Sequence, residues 1–257
     1  MLDVSRHFFT KQEVKRFIDL MAEYKYNVFH WHLSDDQGWR VEIKSLPRLT
    51  DVGAWRAPRV GNWWEREPQS VTDSLTYGGF YTQDDIREVV EYARERFITV
   101  VPEIDVPGHS MALLTAYPEI SCTGGPFHVN VGNTFYTKEE NSLCVGKEKT
   151  FAILDMIFDE LVDLFPSSYI HIGGDECYKG FWAKCPDCRA RMSSKQLQNV
   201  EELQSYFVKR VASHIQSKGK HVIGWDEILE GGLAKDAIVM SWRGMKGGVE
   251  AARQGHR

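Results

Sequence analysis

Residues 27–33, with the sequence NVFHWHL, decide the fold class of this chain. The run is apolar or aromatic on both faces, whereas a strand with one face in water alternates apolar and polar residues. Such a pattern is typical of a strand that has helices on its outer side and a core on its inner side. The run therefore predicts a strand of a parallel sheet.

Helical patterns flank this strand on both sides. Residues 10–13 form a capping box, which marks the start of a helix, and apolar residues follow at helical spacing. A second capping signal at 82–85 precedes another stripe of apolar residues at helical spacing. The apolar positions are Val14, Phe17, Ile18 and Met21 in the first helix, and Ile86, Val89, Val90, Ala93 and Phe97 in the second.

The alternation of short apolar runs with helical periodicity continues along the chain, which indicates βα units and a parallel sheet. Six such units in order favour an α/β fold of the (β/α) TIM-type barrel, whose full form has eight units. A doubly wound sheet is the alternative, but no G-x-G-x-x-G follows the first strand. We therefore expect residues 1–257 to form a single, incomplete barrel domain with six of eight units. The predicted strands are residues 1–4, 27–33, 98–104, 169–173, 221–225 and 237–242.

The composition argues against two classes of partner. Lys and Arg number 31 against 36 Asp and Glu, a net charge of −5, so no basic surface for nucleic acid is expected. No apolar stretch approaches the roughly eighteen residues of a membrane-spanning helix, and the N-terminus lacks the pattern of an export signal. Met1 reads as an internal methionine of a longer parent protein, which we expect to be periplasmic or secreted.

Polar and aromatic residues collect where the predicted strands end. The carboxyl ends of parallel strands carry the chemistry of β/α folds, and five of these ends bear carboxylates, histidines or indoles. Indole faces stack on sugar rings, while carboxylates accept hydroxyl protons and supply acid and base. The ends therefore predict a carbohydrate site. They are HWHLSDD at 30–36, EIDVPGH at 103–109, HIGGDE at 171–176, GWDE at 224–227 and SWR at 241–243.

Asp175 and Glu176 are candidates for acid and base. Adjacent side chains on an extended backbone point to opposite sides, so we expect the two carboxyl groups not to face the same atom. One of them could then protonate a glycosidic oxygen while its neighbour addresses another part of the sugar. Gly173 and Gly174 remove side-chain bulk, so that a ligand can approach the backbone closely.

The sequence around these residues resembles glycoside hydrolase family 20, the β-N-acetylhexosaminidases. The resemblance implies a retaining hydrolysis of terminal, non-reducing β-linked N-acetylglucosamine or N-acetylgalactosamine, without a cofactor. In this family the substrate's own acetamido oxygen is the nucleophile. Six blocks match in collinear order: MLDVSRHF at 1–8, NVFHWHLSDDQGWR at 27–40, VPEIDVPGH at 101–109, HIGGDE at 171–176, GWDEI at 224–228 and SWRG at 241–244.

The resemblance also implies a role for each matching residue. Glu176 would be the general acid and then the base, while Asp175 would hold the acetamido N–H and stabilise an oxazolinium intermediate. His109 and Asp35 would form a hydrogen-bonded chain that orients the acid and adjusts its pKa. The expected substrate contacts are the indoles Trp225 and Trp242, which would wall the N-acetyl pocket, and Asp105 and His171, for which a supporting role is the alternative.

The family pattern extends beyond both ends of this chain. It places a substrate-binding arginine before residue 1, and two further strands with Tyr-x-Asp and Trp-x-Glu after residue 257. We therefore expect either a piece of a larger enzyme or a homo-oligomer in which a second copy covers the open barrel edge. A non-catalytic sugar-binding module is the alternative reading from another functional class.

A metal-dependent hydrolase is the rival enzyme. His30 and His32 lie two residues apart on one strand face, and His109 and His171 could complete a metal site. The strand is heavily aromatic, however, and buried histidines that are bonded to backbone are commoner than metal ligands. We therefore predict no metal in the site.

The five cysteines leave at least one thiol unpaired within the chain. Cys185 and Cys188 form a single CxxC, whereas a structural zinc site of four ligands needs a second pair, so a structural or free-thiol role is favoured. Cys177 could bridge to either of them. Cys122 and Cys144 could form a disulfide if the parent protein is exported.

Overall fold

The computed structural model describes residues 1–58, 72–132 and 139–256, in which strands alternate with helices. The strands are β1 (Leu2–Asp3), β2 (Val28–His32), β3 (Ser34–Asp35), β4 (Gly38–Trp39), β5 (Trp55–Arg56), β6 (Tyr77–Gly78), β7 (Thr99–Glu103), β8 (Tyr169–His171), β9 (His221–Trp225) and β10 (Ile238–Met240). The α-helices are α1 (Lys11–Glu23), α2 (Arg48–Asp51), α3 (Gln83–Arg94), α4 (Met111–Ala116), α5 (Glu148–Leu164), α6 (Gly180–Lys184), α7 (Pro186–Lys195), α8 (Val200–Ser217) and α9 (Met245–Arg253).

Six of the described strands form one sheet in the order β1–β2–β7–β8–β9–β10, which is also their order in the chain. Every pairing in this sheet is parallel. Parallel neighbours need long crossover connections, and helices α1, α3, α5 and α8 lie in those connections. The predicted α/β class with a parallel sheet is confirmed, while the closed barrel and its number of units stay predictions.

One row of ionisable residues crosses the sheet near the carboxyl ends of its strands. Asp3 of β1 is in register with His32 of β2, and His32 is in register with Glu103 of β7. Glu103 is in turn in register with His171 of β8. Residues in register on parallel strands direct their side chains to the same face. Sheet formation alone therefore brings these four groups together.

Helices α1 and α3 begin where the capping boxes predict. Thr10 and Thr82 precede the first turns, and the backbone N–H groups of Glu13 and Asp85 donate to their hydroxyl groups. Each box pairs donors that the start of a helix otherwise leaves unsatisfied. The apolar stripes face the core at Val14, Ile18, Met21, Ile86, Val89 and Ala93.

Two predicted boundaries are wrong for backbone reasons. Helix α3 ends at Arg94, and Phe97, which the stripe includes, is 90% exposed with a φ of +58°. The strand predicted at 169–173 ends at His171, because Gly173 and Gly174 have φ values of +68° and +95°. Positive φ lies outside the β region, so the chain turns at this point.

The core lies between the sheet and the helices that cover it. Burying one large apolar side chain contributes about 1.5–3 kcal/mol, so this layer holds the strands in place beneath the site. Within the described ranges, no helix combines the length and apolar character needed to cross a bilayer. Among the largest fully buried side chains are Phe29, Trp31, Trp39, Phe158, Trp182 and Phe207.

Candidate active site

Glu103 lies in the middle of the in-register row and is completely buried. Its Oε2 atom is 2.7 Å from His30 Nε2 and 2.6 Å from His32 Nδ1. Its Oε1 atom accepts from the indole N–H of Trp225 at 3.0 Å and lies 3.1 Å from His171 Nδ1. Burial by itself raises the pKa of a carboxyl group, but the imidazoles of His171 and His32 hold the pKa of Glu103 well below its ordinary value. The carboxylate is therefore ionised, and the indole N–H of Trp225 donates to it. Nδ1 of His171 accepts from the backbone N–H of Gly173 at 3.0 Å.

His32 links this carboxylate to a second one. Its Nδ1 atom faces Glu103, and its Nε2 atom is 3.0 Å from Oδ2 of Asp35. Burial lowers the pKa of a histidine, but Glu103 and Asp35 raise the pKa of His32 well above its ordinary value. Nε2 also lies 3.1 Å from Nη1 of Arg6, and the raised pKa favours the imidazolium form of the ring. Arg6 also reaches Oδ2 of Asp35, with Nη2 at 2.6 Å.

The structure brings Asp35 and His109 together. Oδ1 of Asp35 is 3.1 Å from Nδ1 of His109, and both side chains are almost completely buried. The other ring nitrogen, Nε2, is 3.6 Å from Oδ2 of Asp175 and 3.5 Å from Oε2 of Glu176. Burial lowers the pKa of His109, but the charges of Asp35 and Asp105 raise it well above its ordinary value. The raised pKa favours a cationic ring between the buried carboxylate of Asp35 and the predicted acid–base pair.

Asp36 is distinguished from Asp35 by its contacts. Its carboxylate accepts from the backbone N–H of Met111 and the side-chain amide of Asn141, both at 3.0 Å. Its Oδ2 atom is 3.7 Å from His109 Nδ1, farther than the nearest oxygen of Asp35. Burial raises the pKa of Asp36 to about 6. Asp36 thus anchors the start of α4 and the loop around Asn141, while Asp35 partners the ring of His109.

The predicted acid–base pair follows a turn and not an extended strand. Gly173 and Gly174 have positive φ values, and Glu176 is left-handed with a φ of +44°. The expectation that the two carboxyl groups cannot face one atom is therefore wrong, because both approach Nε2 of His109 within 3.6 Å. A Cβ at Gly173 would lie 1.8 Å from Oδ1 of Asp105, so the turn requires glycine. Left-handed non-glycine residues concentrate at functional sites.

Asp175 and Glu176 differ in exposure. The side chain of Asp175 is 16% exposed, whereas that of Glu176 is 47% exposed. Burial raises the pKa of Asp175, and the charge of His109 only partly offsets it. Glu176 lines a cavity of about 250 Å³ together with Glu227 and Trp242. Both carboxyl groups therefore lie against the buried ring, and that of Glu176 also faces an accessible cavity.

Asp105 and His171, two of the predicted substrate contacts, lie below the surface of the site. Their exposed fractions are 2% and 0%. Oδ1 of Asp105 accepts from the backbone N–H of Gly174 at 3.3 Å, and His171 contacts Glu103. Burial and the charge of Asp175 raise the pKa of Asp105 well above its ordinary value. Asp105 supports the turn at 173–176, and His171 belongs to the group of histidines around Glu103. Neither residue presents appreciable surface to a ligand.

Trp225 and Trp242, the predicted pocket walls, lie at different depths. Trp225 ends β9, and its indole packs against His171 with the ring centroids 4.7 Å apart. The strand predicted at 237–242 is shorter than expected, so Trp242 lies beyond β10 and is 50% exposed. Its indole N–H donates to Oε2 of Glu227 at 3.0 Å. This bond holds the Trp242 ring at the rim of the cavity.

The motifs assign no role to Glu103 or Arg6, which the structure places among the site residues. Glu103 carries a signal that sequence reasoning can use, because a carboxylate in a strand buried on both faces must have partners. His30 and His32 supply them from the next strand. Arg6 has no such signal, since it lies outside the predicted strands and nothing in the sequence pairs it with Asp35.

The rival metal site would use the same histidines. Ligand atoms of His30, Glu103 and His171 lie within 4.8 Å of one another. However, Nε2 of His30 and Nδ1 of His32 are both within 2.7 Å of one oxygen of Glu103. A ring nitrogen that donates to a carboxylate does not offer its lone pair to a metal. The geometry favours a hydrogen-bonded cluster over a metal centre.

These features define a class of site. A carboxyl pair, a cationic imidazole and two indoles follow the carboxyl ends of parallel strands, where β/α enzymes hold their active sites. Two neighbouring carboxyl groups in different environments are suited to different steps of glycosidic bond cleavage.

The chain belongs to glycosyl hydrolase family 20. The family model "Glycosyl hydrolase family 20, catalytic domain" matches residues 1–257. A beta-hexosaminidase of Porphyromonas gingivalis is 48% identical over 256 residues, which cover 100% of this chain and 31% of that protein. A beta-hexosaminidase of Vibrio furnissii is 43% identical over 99% of this chain and 41% of that protein. The family resemblance of the sequence is confirmed.

Solved structures of similar proteins superpose on the whole chain. A β-N-acetylhexosaminidase of Bacteroides fragilis has a TM-score of 0.83 and 36% identity, over 100% of this chain and 48% of that chain. An exo-β-N-acetylglucosaminidase of Vibrio harveyi, solved in complex with N-acetylglucosamine, has a TM-score of 0.83 and 39% identity. The match covers 39% of that chain and 100% of this chain. The chain thus spans less than half the length of these relatives.

Proposed function

We propose that this chain belongs to a β-N-acetylhexosaminidase that releases terminal, non-reducing β-linked N-acetylglucosamine or N-acetylgalactosamine. The substrate's acetamido oxygen attacks the anomeric carbon as the glycosidic bond breaks, and water then opens the oxazolinium intermediate with overall retention. The observation that carries the proposal is the contact of His109 with both carboxyl groups of the pair Asp175 and Glu176. Family membership supports the same reaction.

Glu176 acts as the general acid and then as the base. Departure of the aglycone requires a proton on the glycosidic oxygen, and the half-exposed carboxyl group of Glu176 lines the cavity that an aglycone can reach. In the second step the same group takes a proton from the attacking water. The cationic ring of His109, 3.5 Å away, stabilises the carboxylate that exists between the two steps.

Asp175 acts on the acetamido group. A carboxylate that accepts the acetamido N–H increases the nucleophilicity of the carbonyl oxygen and stabilises the positive charge of the oxazolinium. This role requires ionised Asp175, and the cationic His109 at 3.6 Å favours that form against the effect of burial. Because Asp175 is mostly buried, its charge acts in a medium of low dielectric constant, where electrostatic stabilisation is stronger.

Asp35 and His109 act as positioning residues for the pair. Arg6 and His32 hold the carboxylate of Asp35, which in turn orients the ring of His109. The ring can then contact both carboxyl groups without moving during the reaction. Preorganised charge of this kind lowers a barrier because no reorganisation is needed as charge develops.

Trp225 and Trp242 wall the space around the sugar. Indole faces stack on the apolar face of a pyranose and pack against the N-acetyl methyl group. The exposure of Trp242 at the cavity rim supports this role. Asp105 and His171 support the turn and the histidine cluster from below, and the reaction uses no metal or cofactor.

The sheet forms part of a closed (β/α) barrel in this proposal, with residues 1–257 as one catalytic domain that supplies six of eight units. The support is that strand order equals chain order and that every pairing of the sheet is parallel, as in a barrel. The alternative is that the barrel stays open and that a second copy in a homo-oligomer covers the edges at β1 and β10. Light scattering that shows a monomer would contradict this association.

Turnover and binding by the full-length protein test the proposed function together. We expect hydrolysis of a 4-nitrophenyl β-N-acetylglucosaminide and tight binding, by isothermal titration calorimetry, of a thiazoline that mimics the oxazolinium. Thiazoline binding without turnover would favour a non-catalytic sugar-binding module. The absence of both binding and turnover would contradict the proposal.

A further inference from the structure

Four cysteines from two separate segments meet in the structure, and we call them the thiol cluster. Cys122 and Cys144 lie in the connection between β7 and α5, and Cys185 and Cys188 lie at the start of α7. Sγ of Cys144 is 3.6 Å from that of Cys188 and 3.7 Å from that of Cys185. Sγ of Cys122 is 3.7 Å from that of Cys188, and all four lie within 4.8 Å of one another. The single CxxC thus has the second pair that a four-ligand site needs.

These distances fit the coordination of one metal ion by four sulfurs. A Zn–S bond is about 2.3 Å long, which places neighbouring sulfurs of a tetrahedral site about 3.8 Å apart. A disulfide, in contrast, requires two sulfurs about 2.05 Å apart. Cys144 is almost equally close to both cysteines of the CxxC. The arrangement therefore selects a four-sulfur group and not a particular disulfide pair.

The thiol cluster lies at the N-terminus of α7. Cys185 directly precedes α7 and Cys188 lies in its first turn, where unpaired N–H groups and the helix dipole stabilise negative charge. A Cβ at Gly146 would lie 2.4 Å from the backbone nitrogen of Cys188. The loop after Cys144 and the start of α7 thus approach each other backbone to backbone.

We propose that the thiol cluster binds one structural Zn²⁺ ion through Cys122, Cys144, Cys185 and Cys188. Four thiolates leave no coordination position for water or substrate, which is typical of structural zinc sites and not of catalytic ones. Binding releases the thiol protons and involves no change of oxidation state. The site lies outside the carboxyl and histidine cluster described above.

The ion joins two segments that flank the candidate active site. The carbonyl of Leu143, directly before Cys144, accepts from the indole N–H of Trp182 in α6 at 2.9 Å. Helices α6 and α7 follow Glu176 in the chain. Zinc would fix the loop after β7 to the segment that leaves the Glu176 turn. A metal that binds the folded chain in preference to the unfolded one also raises its stability.

Metal analysis of the full-length protein, purified anaerobically without reductant or chelator, tests the site. We expect about one zinc per chain more in the wild type than in Cys122→Ser, because a site with three thiolates binds zinc more weakly. Cys177→Ser is the matched control, since this buried cysteine lies outside the thiol cluster. It should keep the zinc content of the wild type. Cys122→His supplies another zinc ligand and should retain most of the zinc, which separates ligand loss from misfolding.

Replacement of zinc by Co²⁺ gives a second readout that is independent of glycosidase activity. We expect the strong sulfur-to-cobalt charge-transfer absorption in the wild type and in Cys177→Ser, and its loss in Cys122→Ser. Chelation of the wild type should lower the melting temperature. Equal zinc content in the wild type and Cys122→Ser, two disulfides within the thiol cluster, or iron in place of zinc would overturn the proposal.

Discussion

The buried cluster around Glu103 and the turn at 173–176 use the same kinds of ionisable group in opposite settings. The Glu103 carboxylate is inaccessible to solvent, and both its oxygens contact ring nitrogens. In the turn, the side chain of Glu176 is half-exposed on a left-handed backbone. A fully partnered buried charge is fixed in place, whereas a half-exposed carboxyl group can exchange its proton with a ligand. Burial and partners, not residue type, distinguish the carboxylate of Glu103 from that of Glu176, for which we propose a catalytic role.

The largest effect should come from removing the reactive carboxyl group. Glu176→Gln keeps the shape of the side chain but cannot donate a proton, so we expect kcat/KM for substrates with poor leaving groups to fall about 10²- to 10⁴-fold. The melting temperature should change little. Glu230→Gln, which alters another carboxyl group lining the same cavity, is the control in steady-state kinetics of the full-length protein. A wild-type rate in Glu176→Gln would contradict the assigned role.

The same substitution in the buried cluster should act on stability instead. Glu103→Gln leaves the cationic His32 without one of its carboxylates, and breaking a buried ion pair costs about 3–5 kcal/mol. Denaturant unfolding should show this loss. Glu88→Gln removes an exposed carboxylate that pairs with Lys11 and Lys15 and should change stability little. Equal unfolding midpoints for the two variants would refute the distinction between buried and exposed carboxylates.

Asp175→Asn should give an intermediate effect, because Asp175 belongs to the turn but its side chain is only 16% exposed. Loss of the carboxylate that stabilises the oxazolinium should lower kcat about 10²- to 10³-fold. The loss should extend to substrates with good leaving groups, since cyclisation is needed for all of them. Kinetics that match those of Glu176→Gln on every leaving group would show that the two carboxyl groups are not divided in this way.

The pH dependence of stability should show the smallest effect. Folding raises the pKa of His109 and His32 above 6.5, so their contribution is complete below pH 6.5 and is lost as the pH rises through the folded pKa values. Folding lowers the pKa of Glu103 from 4.5, so its contribution is present above pH 4.5 and is lost as the pH falls through the folded pKa. Above pH 6.5 the free energy of unfolding should decline by up to about 1.4 kcal/mol per pH unit for each titrating histidine.

His109→Asn isolates the contribution of one histidine to this pH dependence. The variant lacks one of the two histidines, so its free energy of unfolding should decline less steeply than that of the wild type above pH 6.5. Chemical unfolding at several pH values measures both slopes. Parallel curves would show that His109 is not held as a cation in the folded chain.

Local signals in the sequence predict much of the fold. Thr10 and Thr82 mark the starts of α1 and α3 because capping depends on neighbours within one turn. Strand pairing is not local, and the register that sets Glu103 between His32 and His171 has no local signal. The left-handed backbone at Glu176 is also invisible in the sequence, which is why the opposite pointing of the carboxyl groups is a wrong inference.

The central claim is that the substrate's own acetamido group is the nucleophile, and substrates with increasing fluorination of that group test it most directly. Fluorine withdraws electrons and weakens the carbonyl oxygen as a nucleophile, so kcat/KM should fall steeply with each added fluorine. Rates that do not depend on fluorination would show that an enzyme group or water attacks the sugar, and would contradict the account.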